Sequence, residues 1–309
     1  MRTTFLLASL LLGCRQPPAP TVSSDPRVTV STLPVSLLGL SGLTVDDTGR
    51  LWSVLERTPA LVPLRLDGAH VVQDGEPLPI GRWLPNVDAE SIAWVGRGPA
   101  GEGQFVLGAE PRFVGARAED KLVRVDVRDD AAAVRPVGGV VDVVYAPFQT
   151  RGEANRGLEG VAVTPAALYA AAETVLLPAT GGREAPLWRI ARTDEAVTTA
   201  RLRLTSETGK ISDLAARETG DTTRILAIER HYGVSSLVVA EVTWGTADVP
   251  STATARVVRD LAGVLAPVPN LEGLAWLPDG RVVLVADNDS GEAPGLVTVL
   301  VIEGLTGLE

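Results

Sequence analysis

The chain has 309 residues, with 28 basic and 38 acidic side chains and a net charge of -10. That balance supplies no basic stripe to displace counterions, which excludes nucleic acid as a partner class. A single cysteine and two histidines exclude an internal disulfide, a thiolate metal site, a structural zinc and a multi-histidine iron centre.

The chain opens MRTTFLLASLLLGC. Its apolar run, Phe5 to Leu12, is far shorter than the ~20 residues that span a bilayer, and reads as a signal segment. Leu11-Leu12-Gly13-Cys14 resembles a lipobox, making residues 1–14 a lipoprotein signal peptide and Cys14 the lipidated residue; a plain signal peptide with an incidental cysteine is the alternative. Residues 15–26, rich in Pro and Ser, read as a tether. No later boundary has linker composition, so residues 27–309 read as one domain. The chain is expected to be exported, facing periplasm or cell exterior, to touch the membrane only through its anchor, and to be a monomer.

The mature sequence repeats one pattern five times: an alternating apolar run, a turn, a second apolar run, and an acid at the end. The copies are Leu40 to Arg57, Ala89 to Glu110, Leu158 to Glu173, Ile211 to Arg230 and Leu271 to Asp289. The last, NLEGLAWLPDGRVVLVADND, states it most cleanly, with a Pro-Asp-Gly turn between two strand-like runs. Further strand-like runs follow each hairpin: Leu61 to Leu66 and His70 to Gln73; Lys121 to Val127 and Ala133 to Val137; Leu187 to Arg192 and Val197 to Leu204; Ser236 to Trp244 and Ala253 to Arg259. Four strands per repeat make the blade of a β-propeller. The fifth copy is followed by only one run, Gly295 to Ile302, and Arg27 to Thr32 is expected to complete that blade and close the ring.

Ser41, Glu90, Glu159, Ser212 and Glu272 hold equivalent places, 49, 69, 53 and 60 residues apart. The spacing predicts an all-β fold of five blades. The longest gap contains Val140 to Ala154, which is either a rim insertion or part of a sixth blade.

In a propeller the first strand of each blade lines the channel, so these five residues would form a ring about the axis. At ~5 Å and an effective dielectric near 20, each pair of its three carboxylates would repel by roughly 3 kcal/mol. Protons or a cation must offset this, and a hard divalent ion with oxygen ligands, Ca2+, suits a set of two Ser and three Glu. A second ring ends the returning strands: Glu56, Glu110, Glu173, Glu229 and Asp287, with Arg57, Arg112, Arg230 and His231 interleaved. For any one of these, a solvated rim with surface ion pairs is the plainer reading. Together they would suit a small anionic substrate. His70 lies in an outer-strand turn and is not expected to take part in chemistry.

The motifs LSGLTVDD, DAESIAW, NRGLEGVAV, AAET, ISDLA, LAIERHYG and NLEGLAWLPDGRVVLVADND, in that order, resemble the bacterial family called esterase-like activity of phytase, or phytase-like, over about Leu40 to Asp289. The ring's order of Ser, Glu, Glu, Ser, Glu is also similar to the calcium-activated nucleotidases (apyrases), five-bladed propellers with a central calcium. That likeness implies the same role for Ser41, Glu90, Glu159, Ser212 and Glu272.

Together these imply a calcium-dependent phosphoester or ester hydrolase acting at the channel mouth, with arginines holding the anion and Glu173, Glu229 or His231 moving the proton. The other reading is a non-catalytic propeller with structural calcium that binds a protein or glycan partner. A lactonase-type propeller would use a Glu, Asn, Asp metal set, and although Asn155 and Asn270 precede acids, no matching Asp stands in one ring. There is no Gly-x-Ser-x-Gly elbow.

Overall fold

The computed structural model describes residues 21–22, 28–37, 39–56, 58–80, 87–111, 120–128, 131–135, 145–150, 156–231, 233–266, 269–287, 297–305 and 308. Five antiparallel hairpin-built sheets form a ring, giving a five-bladed β-propeller. Among the described residues helix is confined to two 3-10 turns, Val35–Leu37 and Ala146–Phe148.

The five predicted hairpins are the first two strands of the five blades. They are Leu40–Val45 with Leu51–Leu55, Val87–Arg97 with Gly103–Pro111, Leu158–Val163 with Ala167–Ala172, Lys210–Thr219 with Thr222–His231, and Leu271–Trp276 with Val282–Ala286. Their turns form where the residue types allow. In the fifth blade Gly280 takes a φ of +90° that a side chain would resist, and Asp279 accepts the amide of Arg281 at 3.0 Å. In the first, Asp46 accepts the amides of Thr48 at 2.8 Å and Arg50 at 3.1 Å.

The ring closes as the sequence predicts. Val28–Leu33 pairs antiparallel with Val297–Ile302, so the chain's first propeller strand is the outermost strand of its last blade. The first strands lie each against the next, and the fifth returns to the first. Between neighbouring blades sit five apolar clusters, one per interface. Trp52, Val54 and Leu61 of blade 1 meet Ile92, Phe105 and Leu107 of blade 2, and Leu40, Leu43 and Leu51 meet Val283, Val285 and Val299 of blade 5. Each sheet is therefore buried on both faces, so its strands carry near-continuous runs of Val, Leu, Ile and Ala.

Two details depart from expectation and a third decides between two expectations. The run Ala253 to Arg259, expected as one strand, is two. Ser251–Thr254 adds to blade 3 in parallel beside Val197–Arg203, and Arg256–Asp260 completes blade 4 beside Val234–Val242. The parallel strand covers what would otherwise be an open sheet edge on blade 3. Within the expected tether, Thr21–Val22 pairs with Leu265–Ala266. The Val140 to Ala154 segment, in its described part, is not a sixth blade: it is a 3-10 turn whose Phe148, with Tyr145 before it, packs edge-on against Trp188 of blade 3.

All five first strands carry a β-bulge where the ring residues sit. Pairing skips Glu90, Glu159, Ser212 and Glu272 themselves, and in blade 1 it skips Gly42, beside Ser41. A bulge bends its strand and re-aims the residues at it. Here it turns one polar side chain per blade toward the axis, while the flanking apolar residues stay in the blade interfaces. Small residues after the bulge let the first strands crowd together: a Cβ on Gly160 would stand 2.8 Å from the amide nitrogen of Leu214, and one on Gly273 2.7 Å from the carbonyl carbon of Gly42.

Candidate metal centre at the channel mouth

Two environments follow from this geometry. One end of the channel is bordered by residues of all five first strands, among them Thr44, Trp94, Val161, Ala215 and Ala275. The other gathers the acids. Glu90, Glu159 and Glu272 are each more than nine-tenths buried, and Ser41 and Ser212 are wholly so. Burial, reinforced by repulsion from neighbouring acids, holds the carboxyls of Glu90 and Glu159 well above the ordinary range. Burial also raises Glu272, opposed by Arg230.

The serines link neighbouring blades. Ser41 Oγ donates to the carbonyl of Glu90 at 2.5 Å and lies 3.4 Å from its Oε2. Ser212 Oγ donates to the carbonyl of Leu271 at 2.8 Å. Each hydroxyl oxygen keeps lone pairs beside the axial acids.

The second ring stands at the same end but is not uniform. Glu56, with Asp88 and Glu90, forms a set in which one oxygen from each lies within 4.8 Å of the others. Glu110 accepts the amide of Gly157 at 2.8 Å, and burial with Asp120, Asp88 and Glu56 nearby pushes its carboxyl up to about 7. Glu173 is bound by the ammonium of Lys210. Glu229, fully buried, accepts the amides of Thr205 at 2.9 Å and Ser206 at 2.8 Å and the hydroxyl of Thr205 at 2.7 Å, which gives it the task of holding that turn. Asp287 is buried near Glu272 and Arg230. Arg230 does not point into open channel: it grips Glu272 with two guanidinium nitrogens, Nε at 3.2 Å from Oε2 and Nη2 against Oε1. Asn270 donates to the same carboxylate at 2.8 Å. His231 is held below its ordinary value by partial desolvation and by Lys210, Arg183 and Arg230. Arg57, Arg112, Asn155 and Cys14 lie outside the described residues.

A family description, Phytase-like: esterase-like activity of phytase, matches residues 36–290. The chain belongs to this phytase-like family. The comparison with curated proteins returned no match. Among solved structures it is similar to a protein of unknown function from Dyadobacter fermentans, at 11% identity and a TM-score of 0.47, covering 84% of this chain and 79% of that one. It is similar also to the PQQ-bound aldose sugar dehydrogenase of Streptomyces coelicolor, at 13% identity and a TM-score of 0.45, covering 92% and 99%.

In this phytase-like propeller several site residues carry no repeat signal. Asp88 and Asp120 flank Glu110, and Tyr145 donates its hydroxyl to Asp120. Lys210 precedes the fourth ring position and is one of two lysines in the chain, a rarity that could have drawn notice. Asp213, one residue after Ser212, is wholly enclosed: Oδ2 accepts the amide of Leu274 at 2.6 Å, Oδ1 that of Leu214 at 2.7 Å, and the amide of Leu43 reaches it as well. Burial outweighs those three donors and holds this carboxyl well above the ordinary range. One side chain of blade 4 thus clasps the first strands of blades 5 and 1.

The donor set fits a hard divalent ion. Glu90, Glu159 and Glu272, with Glu56, Asp88 and Asp287 close by, bring more negative charge than Arg230 and Lys210 return, and that excess suits a divalent cation. Every donor is oxygen, the chemistry calcium takes.

Proposed function

We propose that this propeller binds calcium among Glu90, Glu159 and Glu272, with Ser41 and Ser212 as neutral neighbours, and hydrolyses a small phosphorylated or ester substrate at that mouth. One observation carries the reading: three buried carboxylates at the axis with a single arginine among them. Such a group costs several kcal/mol unless a cation or protons join it. The phytase-like membership and the ring's similarity to apyrases support the ester and phosphoester classes. When bound, calcium would supply positive charge to an anionic substrate and acidify a water. The chain's own contribution is distinct. Arg230 fixes Glu272 in place, Lys210 holds Glu173 beside the mouth, and His231, held below its ordinary value by partial desolvation and by Lys210, Arg183 and Arg230, would be the group that moves the proton. Export and anchoring through Cys14 belong to the same proposal and rest on the leader sequence.

A second reading has an observation of its own. Glu229 is fully engaged by Thr205 and Ser206, and Glu173 by Lys210, which favours a non-catalytic propeller whose calcium is structural and whose acidic mouth meets a protein or glycan. Purified protein assayed against phosphoesters, nucleotides and acyl esters, with calcium and with chelator, separates the two. Chelator-sensitive turnover that is lost in Glu159→Gln upholds the hydrolase. Calcium-dependent melting without turnover on any substrate upholds the structural reading, and melting indifferent to chelator removes the metal from both.

A further inference from the structure

We propose a second, off-axis cation site on blade 2, formed by Glu110 and Asp120, with Asp88 beside Glu110 on its other side. It rests on register rather than on the axial ring, and stands or falls apart from it. Asp88 pairs directly with Glu110 across the hairpin. Lys121 pairs with Ala109, so Asp120, immediately before it, comes beside Glu110 on the other side. Residues directly opposed on antiparallel strands share a face at about 4.5–5.5 Å, and like charges so placed destabilise the sheet. Three carboxylates thus occupy one row across three neighbouring strands, each at least nine-tenths buried.

Two further observations point to a ligand. Asp120 is wholly buried, and while one oxygen accepts the Tyr145 hydroxyl, Oδ1 has no hydrogen-bond partner among the described residues. An ionised carboxylate oxygen left so is costly. Gly157 lets Asp120 and Glu110 come together: a Cβ there would stand 2.3 Å from Asp120 Oδ1 and 2.8 Å from Glu110 Oε2, the oxygen that accepts the Gly157 amide. The two carboxylates therefore border one cradle, on blade 3's side of the row. Carboxylate oxygens with a phenol behind them form a hard, all-oxygen set that suits calcium and offers nothing to a softer metal. The row also runs into the axial site, because Asp88 shares the close set with Glu56 and Glu90. Two cations held a few residues apart, with Glu56, Asp88 and Glu90 between them, would account for so many acids being buried on one side of the mouth.

Calcium titrated calorimetrically into chelator-stripped full-length protein is expected to fill two sites per chain. Asp120→Asn and Glu110→Gln should each leave one, and Glu159→Gln should leave the other. Terbium offers a local readout, since Tyr145 and Trp188, with ring centres 5.1 Å apart, would sensitise an ion in the cradle; that emission should survive Glu159→Gln and vanish in Asp120→Asn. Asp120→Asn preserves shape and removes one like charge, so in chelator it should melt above the wild type, which also shows that it folds. One bound ion, retained by both row variants and lost in Glu159→Gln, overturns the off-axis site and leaves the axial reading standing. The reverse pattern upholds the off-axis site and removes the axial one. No calcium bound at all overturns both.

Discussion

Arg230 and Glu272 form a two-point ion pair at the channel mouth, with side chains only 16% and 9% exposed. The pair offsets part of the axial ring's charge, because without the guanidinium Lys210 would be left to relieve three acids. Breaking a buried pair from one side leaves the other charge stranded, at a cost of about 3–5 kcal/mol. Arg230→Met is therefore expected to lose stability of that order in urea unfolding with chelator present. Arg230→Met combined with Glu272→Gln should recover most of it. Additive losses in the double variant would mean the two residues do not act as a pair.

Asp213 is the corresponding polar tie between first strands. Its carboxyl satisfies the amides of Leu43, Leu214 and Leu274 from three blades, in a wholly buried setting beside Ser212 and Leu271. Each buried donor left unmade costs about 1–3 kcal/mol. Asp213→Ala should cost at least about 3 kcal/mol, with a loss independent of calcium. Asp213→Asn, which keeps an acceptor oxygen, should cost less. Equal stability of the alanine variant and the wild type would show that the clasp is dispensable.

Steric crowding at the bulges predicts a different kind of loss. Gly160 has an ordinary φ, so Gly160→Ala meets no backbone penalty; its methyl instead meets Leu214's amide nitrogen at 2.8 Å. Overpacking against backbone costs about 1–3 kcal/mol or more. Because the displaced strand also carries Ser212 and Asp213, calcium affinity should fall together with the melting temperature. A variant that melts lower and binds calcium as tightly as the wild type would separate packing from the site.

The blades and their closure were legible because their signals are local and repeated: short apolar runs, turns rich in Asp and Gly at regular intervals, and Arg27 to Thr32 left over at the start, where Val28–Leu33 fills the last blade. The axial set was legible as register, since Ser41, Glu90, Glu159, Ser212 and Glu272 follow one motif position. The bulges were hidden, although a ring residue followed by Gly, Ser or Asp in all five copies is their trace. Partnerships between non-equivalent positions had no repeat to announce them. Lys210 with Glu173, Arg230 with Glu272, Thr205 and Ser206 with Glu229, and Tyr145 with Asp120 each join residues brought together only by the closed ring or by a loop. The division of Ala253 to Arg259 between two blades was equally hidden, because either half alone reads as a good strand.

The acids of blade 2 fix the sign of a pH dependence in calcium-free protein. Glu110, facing Asp88, Asp120 and Glu56 with Gly157's amide as its donor, is raised from 4.5 to about 7, first by burial. Asp120, with Tyr145 as its donor, is raised from 3.8 to about 6, again first by burial. A carboxyl whose value is higher folded than unfolded holds its proton more tightly in the native state, so the stability it contributes is complete below the unfolded value and is lost as pH rises through the folded one. At about 1.4 kcal/mol per pH unit between 4.5 and about 7, Glu110 alone contributes roughly 3 kcal/mol. With chelator present, the melting temperature should therefore fall from pH 5 to pH 8, the reverse of the trend for carboxylates held ionised in ion pairs. Calcium competes with those protons, so its stabilising increment should be small at pH 5 and largest at pH 8. Glu110→Gln, which does not titrate, should flatten the decline in chelator. A chelated protein whose melting temperature is level or rises across that range would show that these carboxylates are ionised without an ion, and that the row is neutralised in some other way.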